Sequence, residues 1–204
     1  MDDNSSGISR LQTVKKGWKN IGSTVAILIS APILAILLTI FVFQSYEVYG
    51  ASMETTLQNG DRLIVQKLSK NWSKLRNKPY IPQRHEIVVF DKPTFIGGSS
   101  EVDHLIKRVI GLPGERVVIR DGSITIYNRQ ALEGFNPDVN QEYAKDILST
   151  QGNVDITVGQ NEIFVLGDNR NNSLDSRNFG AVSTNFVTGT VTIRFIPVNN
   201  FERF

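Results

Sequence analysis

Between Lys19 and Glu47 the chain carries no charged residue, and Val25 to Phe43 (VAILISAPILAILLTIFVF) is apolar apart from Ser30, Pro32 and Thr39. A run of that length predicts one helix able to span a bilayer. Pro32 is tolerable in a transmembrane helix, whereas inside a soluble helix it would cost about 3 kcal/mol. A cleaved secretory signal is the main alternative, although its apolar region usually covers only about 7 to 15 residues. A helix buried in a soluble core is the other. Past the run the pattern changes to short alternating segments at Val48, 61–66, 85–90, 104–110, 116–120, 123–127, 162–166 and 190–196, which predict strands. Asp121-Gly122 between two β-branched runs predicts a two-residue hairpin, and Leu112-Pro113-Gly114 a type II turn. Residues 69–83 and 130–159 lack the alternation and read as peripheral loop excursions, with one short helix expected over Glu142 to Leu148.

The fold expected is therefore mainly β: a single N-terminal transmembrane helix followed by a β-rich domain with loop excursions. Its divisions are a tail over 1–20, an anchor over 21–45 and the β-rich domain over 46–204. Arg10, Lys15, Lys16 and Lys19 precede the apolar run, so the positive-inside rule puts the N-terminus in the cytoplasm and the domain outside it, at the cell membrane.

Composition removes several kinds of chemistry. A chain of 204 residues with 40% hydrophobic content supports one main domain. The net charge of +2 is near balance and the basic residues are scattered beyond the N-terminal cluster, so no nucleic-acid surface is expected. With no cysteine, thiol catalysis, disulfides and thiolate zinc sites are excluded, and His85 and His104 alone are too few for a histidine-rich metal cage. No metal and no cofactor are called for, and nothing in the pattern specifies an oligomeric state.

Three stretches could carry chemistry. Ser52, in Gly50-Ala51-Ser52-Met53-Glu54-Thr55-Thr56-Leu57, is either a turn hydroxyl or a nucleophile. Lys107 lies in an expected strand, sharing one face with Leu105 and Val109. Burial among such neighbours disfavours an ammonium, and buried lysines are known with a pKa of roughly 5 to 6, low enough to take a proton from a hydroxyl. An edge lysine whose amine reaches water is the alternative. The loop Gly167 to Gly180 (GDNRNNSLDSRNFG) is dense in Asp, Asn, Ser and Arg. Arg170 and Arg177 intrude among its two carboxylates, Asp168 and Asp175, which argues against a calcium loop and for a hydrogen-bonded scaffold beside an amine.

Taken together, Ser52-Met53 with Thr56-Leu57, then Lys107-Arg108-Val109-Ile110-Gly111-Leu112-Pro113-Gly114-Glu115, then Gly167-Asp168-Asn169-Arg170 through Asn172-Ser173 to Asp175-Ser176-Arg177 and Gly180, resemble the ordered motifs of bacterial type I signal peptidases. The resemblance runs from the apolar span to Ile196. It implies a serine/lysine dyad protease that cuts secretory signal peptides from preproteins after small residues, of the Ala-X-Ala type, at the lipid bilayer. Ser52 matches the nucleophile, Lys107 the general base and Ser173 the hydroxyl that hydrogen-bonds the lysine. Asp175 and Arg177 match an ion pair holding the third motif, and Arg108 the arginine beside the base. Tyr46, Val48, Leu57, Leu63 and Ile106 match the apolar walls of the substrate pockets, with ordinary core packing as the alternative. The family's oxyanion hole uses the nucleophile's own N–H, often with a hydroxyl two residues earlier, where this chain has Gly50. Thr55 replaces the usual proline, His85-Glu86 the usual Gly-Asp, and Asn171 a common aspartate. A non-catalytic relative that binds signal peptides, and a related protease dedicated to one substrate, are the competing implications; Ser52, Lys107 and Ser173 are all present, which disfavours the first.

Overall fold

The computed structural model describes residues 23–37, 39, 42–76, 79–96 and 99–204. The chain divides into two units, Met1–Val42 and Phe43–Phe204.

In the first unit, residues 23–37 are helical, with Ile27, Leu28, Leu34 and Ile36 exposed. Among the described residues no helix is long and apolar enough to cross a membrane. The tail expected over 1–20 lies outside the described residues, as do 21, 22, 38, 40 and 41 of the expected span.

The second unit is mainly β, as expected. Its strands are β1 (Phe43–Glu47), β2 (Arg62–Gln66), β3 (Ile87–Ile96), β4 (Ser99–Gly111), β5 (Arg116–Arg120), β6 (Ser123–Tyr127), β7 (Val154–Thr157), β8 (Glu162–Leu166), β9 (Val182–Ser183), β10 (Val187–Ile196) and β11 (Glu202–Arg203). The larger sheet has the order β1-β2-β10-β3-β4-β8-β9 with β11 on β10, and β6-β5-β7 form the smaller one. Phe43, Gln44 and Ser45, read from sequence as the end of the span, instead pair with Gln66, Val65 and Ile64. Val48, expected to be in a strand, follows β1 directly.

Both turn expectations hold. Asp121 and Gly122 take φ of 52° and 75° and join β5 to β6 with Arg120 opposite Ser123, the geometry that matches strand twist. Glu115 N–H donates to Leu112 O at 3.1 Å while Gly114 sits at φ 81°, where glycine carries no steric cost. The excursions hold more structure than expected. Leu68–Leu75 is a helix, β7 lies in the second excursion, and only Glu142–Ala144 of the expected short helix is helical, as one tight turn.

Alternation along β3 supplies two cores. Ile87 and Val89 join Val48, Met53, Leu57, Leu63, Val65 and Val191. Val88 and Phe90 face the other way, with Val109, Ile163, Val165, Val182 and Val187. A third cluster, including Ile110, Val117, Ile119, Ile124, Ile126, Phe164 and Leu166, joins the smaller sheet to β4 and β8. These faces fix β4 between β3 and β8, and so fix where Lys107 and Arg108 point.

Candidate active site

Ser52 sits in the run of turns between β1 and β2. Glu54 N–H donates to Ala51 O, and the N–H groups of Thr56 and Leu57 donate to Met53 O at 3.0 and 2.8 Å. Met53 and Leu57, 1% and 0% exposed, pin this run to the core. Thr55 takes φ 64°, a left-handed conformation that a proline ring, locked near −65°, cannot adopt. The departure from the family's proline thus goes with a different local backbone.

Lys107, on β4, lies opposite Val88 of β3. It is 3% exposed. Its Nζ donates to Ser52 Oγ at 2.7 Å and to Ile106 O at 2.9 Å. Burial pulls its pKa down from 10.5 to about 8, with the Asp175 and Asp168 carboxylates opposing the shift. The edge-lysine alternative, with the amine in water, does not describe this side chain.

Arg108 points the other way. Its Nε and Nη2 fork onto Asp168 at 2.9 and 2.6 Å, and Nη1 donates to His85 O at 2.8 Å. Tyr143 lies against the guanidinium, 4.0 Å from ring centroid to Cζ. His85 takes φ 70°, a conformation the family's glycine would accept without cost. Thr56 Oγ1 donates to Asp168 Oδ2 at 2.6 Å, which ties the turn after Ser52 to the same carboxylate.

The third motif is braced from behind. Arg177 forks onto Asp175 with Nε and Nη2 at 2.8 and 2.9 Å. Asp175 also accepts from Gly167 N at 3.1 Å and caps the short helix Ser176–Phe179. Arg170 forks onto Asp138 at 2.6 and 2.8 Å, reaches Thr150 Oγ1 and donates to Gly167 O at 3.1 Å. Tyr143 OH donates to Asp138, so burial and that carboxylate push its own pKa up. Asp138, Tyr143 and Thr150 all come from the 130–159 excursion, which is therefore not peripheral. The physical reason is that Arg170, 4% exposed, needs a carboxylate beside it.

Ser173 does not make the expected hydrogen bond to Lys107. Its Oγ is buried without a hydrogen-bond partner among the described residues, because the amine is directed at Ser52 and the Ile106 carbonyl. It nevertheless lies next to the site. A Cβ placed on Gly167 would stand 2.3 Å from Ser173 Oγ and 2.4 Å from Ser52 O.

Asn169 joins the two loops: its N–H donates to Ser52 O at 3.1 Å and its Nδ2 to Ala51 O at 3.0 Å. Sequence reasoning missed Asn169, Asp168 as the partner of Arg108, and Thr56 as a donor. Their place inside the quoted motifs was the only available signal. Tyr46, Val48, Leu57, Leu63 and Ile106 do come together, in the cluster that holds Met53. Leu57 and Leu63 are fully buried there, as ordinary core would be, while Tyr46 and Ile106 are half-buried.

A family model described as signal peptidase, peptidase S26, matches residues 21–196. The probable signal peptidase I-2 of Synechocystis sp. is 36% identical over 183 residues, 89% of this chain and 74% of that protein. Signal peptidase I T of Bacillus subtilis is 33% identical over 178 residues, 86% of each protein. A crystal structure of a signal peptidase I from Enterococcus faecalis is 35% identical, matching 54% of this chain and 97% of that one with a TM-score of 0.40. With the family model spanning most of the chain and both relatives above 30% identity over most of their own lengths, this chain belongs to the signal peptidase family, peptidase S26, whose members are serine hydrolases of peptide bonds.

Proposed function

We propose that the chain is a membrane-anchored signal peptidase in which Ser52 is the nucleophile and Lys107 the general base. The observation that carries this reading is the 2.7 Å contact between Ser52 Oγ and a buried Lys107 Nζ whose pKa lies at about 8. In the neutral amine the contact reverses, and the hydroxyl donates to nitrogen. Ser52 Oγ then bonds to the scissile carbonyl carbon as its proton passes to Lys107. The C–N bond breaks, the ammonium returns the proton to the leaving amine, and an acyl-enzyme remains. Water, deprotonated by the same amine, releases the acyl group.

Asp175 and Arg177 hold the loop that presents Ser173, and Arg108 with Asp168 holds the strand and the turn around the dyad. Ser173's unpartnered hydroxyl is the acceptor at hand for the ammonium once Ser52 has given up its proton. Substrates are secretory preproteins with small residues at the first and third positions before the cut, read by shallow pockets at the edge of the cluster formed by Tyr46, Val48, Leu57, Leu63 and Ile106. The exposed apolar helix over 23–37 supports an anchor over 21–45, with tail 1–20 cytoplasmic and the domain 46–204 outside. An anchor would hold enzyme and scissile bond in one plane and raise their effective concentration.

The test is cleavage of an Ala-X-Ala preprotein by full-length enzyme in lipid vesicles. Ser52→Ala and Lys107→Ala should each abolish cleavage with the circular dichroism spectrum unchanged. Full activity in Lys107→Ala would sink the dyad.

A further inference from the structure

Gly50 leaves the site without the hydroxyl that often supplies a second oxyanion donor, and its own N–H is committed to Asn59 Oδ1 at 2.9 Å. The N–H of Ser52, by contrast, donates to no acceptor among the described residues. It is the donor left to meet a developing oxyanion, if Ser52 is the nucleophile as proposed above.

We propose that Asn169 is the positioning residue that aims this N–H. The Ala51 carbonyl and the Ser52 N–H belong to one peptide group, which is planar and trans, so the two dipoles point in opposite directions and turn together. Asn169 Nδ2 holds the carbonyl end at 3.0 Å, and Glu54 N–H shares the same oxygen at 3.2 Å. With the oxygen fixed toward the third-motif loop, the hydrogen is fixed toward the opposite side.

Asn169 also holds the next peptide group, since its own N–H donates to Ser52 O at 3.1 Å. Both peptide planes flanking the Ser52 Cα are thereby set by one residue, and rotation about either backbone bond would break one of the two contacts. Two donors on the Ala51 oxygen also polarise that peptide, strengthening its N–H as a donor. An oxyanion hole works through donors already in place before charge develops, and a single backbone donor has no second group to compensate if it swings.

The variant to use is Asn169→Leu. It keeps the size and the backbone N–H but removes the Nδ2 donor from the Ala51 oxygen without adding a charge near Lys107. Full-length enzyme is assayed in vesicles on an Ala-X-Ala peptide and on its analogue with sulfur in place of the scissile carbonyl oxygen. Sulfur accepts hydrogen bonds poorly, so wild type should strongly prefer the oxygen substrate. The variant should lose kcat by about 100-fold on that substrate, within the range seen for loss of one oxyanion donor, with KM nearly unchanged. Its pH midpoint should stay at about 8. Its preference for oxygen over sulfur should shrink by about 10-fold, as expected when the donor is misaimed rather than the base damaged.

Equal losses on both substrates would reduce Asn169 to a structural tie between loops, and a shifted midpoint with an unchanged preference would place its effect on the dyad; either result overturns the proposal. Cleavage by Ser52→Ala at the wild-type rate is a different failure, that of the nucleophile assignment itself.

Discussion

Lys107 and Arg108 are neighbours on one strand, both nearly fully buried, and the fold surrounds them in opposite ways. Arg108 has a carboxylate fork, a backbone carbonyl and an aromatic face. Lys107 has a hydroxyl and a carbonyl and, among the described residues, no carboxylate in contact. A guanidinium stays charged at any ordinary pH, so pairing it completely makes a rigid joint. An amine denied a counter-ion gives up its proton far more readily. The strand's alternation thus delivers a structural cation and an amine of lowered pKa in consecutive residues, and the difference lies in which neighbours each meets.

Exchanging the two chemistries should break the comparison most severely. Lys107→Arg places a permanent cation against Ser52, and preprotein cleavage should fall by about 10⁴-fold or more, the scale of losing a base that works as a unit with its nucleophile. On the other face, Asp168→Asn leaves the Arg108 charge buried without its partner. Urea titration should show a loss of about 3–5 kcal/mol, the cost of breaking a buried pair from one side. An unchanged midpoint would mean that the fork is not what holds the strand and the turn together.

Lys107→Met should act in the reverse direction on stability. The folded pKa lies below the ordinary 10.5, at about 8, so the folded protein binds this proton more weakly than the unfolded chain. The lysine therefore costs most stability below about pH 8, and the cost fades as pH rises toward 10.5. The variant should be inactive yet more stable by about 1–3 kcal/mol at pH 7. Its advantage should vanish by pH 10.5, which a series of thermal melts would show. If Lys107 is the base proposed above, the same proton governs the rate in the wild type. Activity should rise about tenfold per pH unit below the midpoint near 8 and flatten above it, and a midpoint close to 10.5 would mean that Lys107 is solvated.

The smallest effect expected is at Thr55, a β-branched residue at φ 64°. Thr55→Gly should relieve that strain and raise stability by about 0.5–1 kcal/mol after the entropic cost of glycine, with the pH profile unmoved.

Much of this could be read in the sequence where the information is local. The alternation around Val88, Lys107, Val117 and Val165 marks strands, and Pro113-Gly114 and Asp121-Gly122 carry the turn chemistry in their own backbone preferences. The helix Leu68–Leu75 went unrecognised because its apolar positions, Leu68, Trp72 and Leu75, though spaced for a helix, sit among basic and polar residues beside a proline-containing stretch. β7 is only four residues long and carries just two apolar side chains, Val154 and Ile156. The partners of Arg108 and Ser52 were harder still. Asp168 lies 60 residues from Arg108, and Asn169 lies 118 from Ala51. A loop of Asp, Asn, Arg and Ser offers many equivalent donors and acceptors, and only the folded backbone selects among them. The motif order could indicate that the loop meets Ser52, but not which of its side chains touches which carbonyl.

The early start of β1 has a practical consequence for where the N-terminal apolar run can be removed. Cutting the chain where the hydropathy pattern ends, at residue 46, would delete Phe43, Gln44 and Ser45 and with them three of the five residue pairs that bind β1 to β2. The turn that carries Ser52 hangs between those two strands, so such a truncation would leave Ser52 on a frayed edge. Beginning the polypeptide at or just before Phe43 keeps the whole strand, and the engineering question becomes how to remove the apolar run of the sequence without touching Phe43.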